Sequence, residues 1–157
     1  MQKRRGISPV IATVIIVAVT IAVAIAVAFW MTGIVGLFTA AEKLEIVSLY
    51  PLQQQNGGWT VSITVRNTGT TPTSIDQVFI NGIPIDQCRN VQLQFDNQAM
   101  DLQQNPIRLD PGQEQNFQIN IARDAQCGQS RFIPGGSIEI KLHSTGGKEY
   151  PKLTVLP

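Results

Sequence analysis

"KRRGISPVIATVIIVAVTIAVAIAVAFW", Lys3 to Trp30, sets three cations, a glycine and a Ser-Pro pair against a long apolar run. No charged residue occurs from Ile7 to Ala41, a stretch of 35 residues. As a continuous helix it would be about 52 Å long, against roughly 30 Å of bilayer hydrocarbon. A secretory signal needs an apolar region of only about 7 to 15 residues. The segment is therefore too long for a simple signal and generous for a single span.

The alternation of small and large residues in "AVTIAVAIAVAF" imitates a strand, but a fully apolar run of this length satisfies its backbone in lipid only as a helix. Ser8 suits an N-cap and Pro9 the first helical position. Ala18, Ala22 and Ala26 fall in one i, i+4 row, and Ala24 and Ala28 in another. Such rows let helices approach closely where apolar burial gives no drive. Alanine is also simply common in apolar helices. Gly33 and Gly36 weaken the helix near its end, and Trp30 suits a membrane interface or a packing site. Lys3, Arg4 and Arg5 keep the N-terminus cytoplasmic by the positive-inside rule, which places the polar part of the chain outside.

From Leu44 onward the period becomes two. "LEIVSLY", "WTVSITVRN", "SIDQVFI", "VQLQF", "NFQINI", "SIEIKLH" and "YPKLTVL" alternate apolar and polar residues. Turn signals separate them: Asn56 to Gly58, Asn67 to Pro72, Asn81-Gly82, Asp110 to Gly112, Pro134 to Gly136 and Thr145 to Gly147. About seven short strands with such turns predict an immunoglobulin-like antiparallel β-sandwich, so the chain is α+β. "FINGIPID" predicts a tight hairpin on Asn81-Gly82. The Gln- and Asn-rich segment from Arg89 to Asn105 reads as a loop or loose edge strand. Trp59 alternates with Val61, Ile63 and Val65, which favours core packing over a binding role.

Of the chain's 157 residues, only two are cysteines, Cys88 and Cys127, both in the polar part. An even count behind an export-like segment predicts a disulfide. It would tether both ends of the region holding the Gln-rich segment and stabilise by roughly 4 kcal/mol in the chain-entropy model. Two separate buried thiols are the alternative. Two cysteines and the lone His143 cannot complete a zinc site, and a copper site on this sandwich needs a second histidine.

Net charge is +1 with a pI near 7.8, giving little support for a nucleic-acid partner. Asp76, Asp86, Asp96, Asp101, Asp110 and Asp124 are too scattered for a calcium loop. No phosphate-binding glycine loop and no catalytic carboxylate pair stand out, nor does any Asn-x-Ser/Thr sequon. The expectation is a non-enzymatic protein without cofactor or metal.

The short basic leader ending in Gly6, followed by "ISPVIATVI" and the long apolar helix, resembles the N-terminus of archaeal type IV pilins with a class III signal peptide, relatives of the archaellins. The likeness covers about residues 3 to 30; beyond it only the architecture agrees. It implies cleavage between Gly6 and Ile7 by a prepilin-peptidase-like membrane aspartyl protease, leaving the helix on the mature protein. Residues 1–6 are then a removable leader, 7–43 a helix that spans the membrane in the precursor and fills a filament core after assembly, and 44–157 the head. Bacterial type IV pilins carry Glu at the fifth mature position, where this chain has Ile11, a difference that points to the archaeal branch.

The resemblance implies a homo-polymeric extracellular filament for surface adhesion, built by a pilus-assembly machinery. A monomeric, membrane-anchored extracellular binding module fits the same helix and sandwich. An ordinary secreted protein cut after Ala26 to Ala28 does not, because its apolar region is too long.

Overall fold

The computed structural model describes the backbone of residues 9–157 and the side chains of 9–35 and 40–157. The leader cations Lys3, Arg4 and Arg5, the junction Gly6-Ile7 and the capping Ser8 lie outside the described residues. The chain forms two compact units that divide between Ala40 and Ala41. The first holds α1, Pro9–Thr39, which continues through Gly33 and Gly36 without interruption.

The second unit contains β1 (Leu44–Gln53), β2 (Trp59–Asn67), β3 (Thr73–Ile80), β4 (Ile83–Pro84), a 3-10 turn at Ile85–Gln87, β5 (Arg89–Phe95) and β6 (Gln98–Ala99). It continues with β7 (Ile107–Leu109), β8 (Glu114–Cys127), β9 (Ser130–Arg131), β10 (Ser137–Ser144) and β11 (Glu149–Val155). All seven alternating runs of the sequence are strands; β4, β6, β7 and β9 are additional two- and three-residue pieces. One sheet has the order β1-β2-β8-β5-β6, with β9 on β8; the other has β11-β10-β3-β4, with β7 on β3. Counting only the seven long strands, the order is first-second-fifth-fourth over seventh-sixth-third, the ABED and GFC arrangement of the immunoglobulin sandwich.

Period-two patterning builds the core directly. On β2, Trp59, Val61, Ile63 and Val65 point inward and are buried. They lie opposite Ile121, Ile119, Phe117 and Gln115 of β8, so three of the four pairs are large apolar cross-strand neighbours. The facing sheet contributes Ile75, Val78 and Ile80 from β3 with Ile138, Ile140 and Leu142 from β10. The Trp59 indole also donates from Nε1 to the Pro157 carbonyl at 3.0 Å, fastening the C-terminal end across the core.

The predicted hairpin is present: Ile80 pairs with Ile83, and Asn81 and Gly82 have φ of 52° and 80°. Positive φ at both central positions is the type I′ condition that Asn-Gly meets at little cost. Of the two readings of the Gln-rich segment, loop or loose edge strand, its first half takes the strand, at the β6 edge of its sheet. It contains all of β5, whose Val91 and Leu93 are buried, and a second two-residue turn with positive φ at Asp96 and Asn97. The register Gln92↔Asn120 and Leu93↔Ile119 shows why: β5 is recruited by β8, and its amide-bearing residues face outward.

The strand "YPKLTVL" keeps its alternation but turns its apolar residues Leu153 and Val155 outward. Leu153 is 70% and Val155 56% exposed, whereas Leu156 is buried. Leu156 shares parity with Tyr150, Lys152 and Thr154, and its burial commits those residues to the inner side.

One buried polar residue organises a whole end of the sandwich. Asn67 is fully buried; its Nδ2 donates to the Thr71 and Leu109 carbonyls at 2.8 and 3.0 Å, and its Oδ1 accepts from the Gly69 N–H at 2.9 Å. Its backbone N–H and C=O pair with Gln113 and Gly112. The turn it builds receives the segment before β1: Thr68 and Gly69 N–H groups reach the Lys43 carbonyl, and Thr70 reaches Ala41. A side chain at Gly69 would sit 2.3 Å from the Ala41 oxygen and 2.6 Å from the Lys43 nitrogen, so this approach needs glycine.

Candidate polymerisation surface

α1 has no polar face. Fifteen large apolar side chains between Val10 and Val35 each expose more than half of their surface. Covering each one gains on the order of 1 kcal/mol or more. A helix apolar all round belongs in a membrane or at the centre of a larger body. The 31 residues of α1 extend about 46 Å, well beyond the ~30 Å of bilayer hydrocarbon. The candidate span within it is Pro9–Val35.

Among the described side chains of the helix, each hydroxyl is bonded within it and does not resist burial. Thr13 donates to the Val10 carbonyl at 2.8 Å, Thr20 to Ile16 at 2.6 Å, and Thr32 to Ala28 and Phe29 at 3.0 Å. Back-bonding of this kind makes threonine tolerable in an apolar environment.

The strand-like alternation acquires a different meaning on a helix. At 100° per residue, every second position advances about 200°, so a period-two series divides onto two nearly opposite faces. Ala18, Ala22 and Ala26 form one shallow stripe; Thr20, Ala24 and Ala28 form another about 160° away. The bulky ridges Val19-Val23-Val27 and Val17-Ile21-Ile25 lie between them. All five predicted alanines are exposed on these stripes. Each row is visible in the spacing along the chain, but their opposition is not, because linear spacing conceals angle.

In the sandwich, Cys88 and Cys127 form a disulfide with Cα atoms 4.3 Å apart and a sequence separation of 39. It ties the start of β5 to the end of β8. His143 is half-buried, with Nδ1 2.7 Å from Asp76 Oδ1, a lone surface pair. Among the described residues, no group of three His, Cys, Asp or Glu side chains could hold a metal ion.

A cavity of about 360 Å³ opens between β3 and β5. Its walls include Val78, Val91, Leu93 and Leu102, and its rim includes Asp76, Asp86 and Asp101. Along the sequence these aspartates are scattered. Only the crossing of β3, the 3-10 turn and the 99–103 segment brings them to one opening.

No family model matches the chain, and no curated protein matches it. Among solved structures, it is similar to the archaeal flagellum of Methanospirillum hungatei strain JF1, at 16% identity over 94% of this chain and 88% of that chain, with a TM-score of 0.46. It is also similar to the archaellum periplasmic stator protein FlaG from Sulfolobus acidocaldarius, at 16% identity over 73% and 100% of the two chains, with a TM-score of 0.35. The Iho670 flagellar-like filament matches at 11% identity over 95% and 98%, also with a TM-score of 0.35.

Proposed function

We propose that this chain is the precursor of a structural subunit of an extracellular archaeal type IV pilus, a polymer whose core is made of α1 helices and whose surface is made of sandwich heads. The observation that carries this reading is the surface of α1: apolar on every side, longer than a bilayer, and grooved on two opposite faces. A monomeric anchor needs only one lipid-compatible surface of bilayer length. A helix surrounded by copies of itself needs shallow grooves on more than one side, so that the ridges of a neighbour can enter.

The leader cations complete the scheme. Lys3, Arg4 and Arg5 orient the precursor, and cleavage between Gly6 and Ile7 removes charges that would otherwise be drawn into an apolar core. After cleavage, nine Lys and Arg residues face eleven Asp and Glu residues, all of them in or next to the head. The assembled subunit is a structural element, used for surface adhesion, rather than an enzyme. A prepilin-peptidase-like protease and an assembly machinery in the cell membrane are its processing partners.

The N-terminus of the native protein tests the proposal. Mass spectrometry of sheared surface material should find a mature chain starting at Ile7, and Gly6→Trp should abolish both processing and filaments. Single molecules that retain Met1 to Gly6 would establish the membrane-anchored module instead. Ala22→Leu with Ala24→Leu fills both stripes and should prevent polymerisation while membrane insertion and the head's disulfide persist.

A further inference from the structure

We propose that adjacent heads in the polymer are joined head-to-tail, with an arginine-bearing corner at the β8–β9 end of one copy seated in the acidic groove between β3 and β5 of the next. The proposal rests on the filament reading above and adds a specific contact to it.

The groove has an apolar floor and an anionic rim. Val78, Val91, Leu93 and Leu102 are buried core residues that reach the cavity, and Met100 packs against them. Every charged side chain at the opening is an aspartate: Asp76, Asp86 and Asp101. Two of these are bonded by one residue. Gln103 donates its backbone N–H to Asp101 Oδ1 at 2.9 Å and its Nε2 to Asp86 Oδ2 at 3.5 Å. Asp76 is positioned by His143 at 2.7 Å. The rim is thus preorganised, and among the described residues no lysine or arginine lines it. An occupant that matches both surfaces carries a positive charge beside an apolar group.

The chain displays such a group elsewhere. Arg89, Arg123 and Arg131 line one depression together with Asp124 and Ile133. Ile133 is 60% exposed. Most other described head cations have partners: Arg66 with Glu114, Arg108 with Asp110, Lys141 with Glu149, and Lys148 and Lys152 with backbone carbonyls. Among the described residues, the guanidinium groups of Arg89, Arg123 and Arg131 make no ion pair or side-chain hydrogen bond. Asp124, the one carboxylate at this corner, already accepts from Asn90 Nδ2 at 2.8 Å.

The corner is rigid as well as charged. The Cys88–Cys127 disulfide lies beside Arg89 in sequence, and Cys127 pairs with Ser130 while Gln126 pairs with Arg131. The disulfide therefore fixes two arginines that belong to different strands. Three guanidinium groups beside an exposed isoleucine complement three carboxylates around an apolar floor. Because groove and corner are different patches, a copy that offers its corner to one neighbour keeps its groove for another, and a head-to-tail contact of this kind is heterologous and can propagate as an open row.

Charge reversal in the full chain tests the contact. Asp86→Lys with Asp101→Lys, and separately Arg89→Glu with Arg131→Glu, should each lower the yield of sheared filament at low ionic strength by about tenfold. Combining all four substitutions should restore it. All four positions are on the surface, so the disulfide and the β-sheet circular dichroism should be unchanged. As an independent measurement, Arg131→Lys filaments treated with a zero-length carbodiimide should give a ladder beyond dimers, with position 131 linked to Asp86 or Asp101 of another copy. Normal yields in both reversals without such a link overturn the contact and leave the filament reading intact. A link that stops at dimers overturns its open-ended geometry. Failure of the unaltered chain to form any polymer overturns the filament reading itself.

Discussion

The ammonium of Lys152 on β11 lies 2.5 Å from the Ile46 carbonyl on β1 and 3.5 Å from that of Val47. The two strands belong to different sheets. The β1–β2 register shifts between Ile46 and Ser48, a bulge that leaves Val47 outside the ladder. Lys152 thus supplies a charged donor where the sheet pairing leaves acceptors open, and it bridges the two sheets at an edge of the sandwich. Lys152→Met keeps the apolar stem and loses the donor. It should destabilise the protein by about 1.5 kcal/mol, the scale of a hydrogen bond to a charged group. Denaturant unfolding of the detergent-solubilised protein measures this, and an unchanged midpoint would show that the bridge contributes nothing.

Asn67 is a fully buried polar position in the head with three side-chain hydrogen bonds. Asn67→Asp exchanges the NH₂ donor for an oxygen facing the Thr71 and Leu109 carbonyls, turning two hydrogen bonds into repulsions. The expected loss is about 3 kcal/mol or more, since buried acceptors are stranded beside an unpaired charge. Asn67→Ala should cost about 2 kcal/mol, because the carbonyls lose their donor without gaining a repulsive neighbour. The order of the two variants in thermal unfolding is the check; equal stability would contradict the donor assignment.

Reduction of Cys88–Cys127 should lower stability by about 4 kcal/mol in the chain-entropy model for a closed loop of this length. Cys88→Ser with Cys127→Ser should reproduce the loss. The effect should concentrate at the start of β5 and the end of β8. Hydrogen exchange resolved by residue measures this, and uniform protection across β5 after reduction would refute it.

Burial raises the Tyr150 phenol above its ordinary value of 10.0, and the Glu42 charge adds to the rise, while the nearby Leu44 backbone tempers it. The hydroxyl has no hydrogen-bond partner in bonding geometry. The folded state therefore holds its proton more tightly than the unfolded state does. The unfolded chain ionises first, near pH 10, so stability falls as pH rises above that point. Tyr150→Phe removes this alkaline decline and leaves neutral stability equal or higher, since an unpaired buried hydroxyl is lost. Unfolding midpoints of the two proteins across pH 8 to 12 would show parallel curves if the assignment were wrong.

Composition and period alone determined the two-part plan of this protein. A charge-free run from Ile7 to Ala41 admits one conformation in lipid, and seven alternating runs separated by turn residues admit a sandwich. The Asn81-Gly82 hairpin was legible because its φ requirement is local. Tertiary structure decided everything that depends on parity or on distant neighbours. The bulge in β1 and the burial of Leu156 choose which residues of β1 and β11 face inward, and a one-residue choice inverts a whole strand. The aspartate-rimmed groove and the arginine corner each gather residues far apart in the chain, which no linear pattern encodes. The pairing of Cys88 with Cys127 was an expectation from even count, and the approach of β5 to β8 made it geometry. On α1 the residues were always visible, but only helical rotation turns their alternation into two opposed grooves.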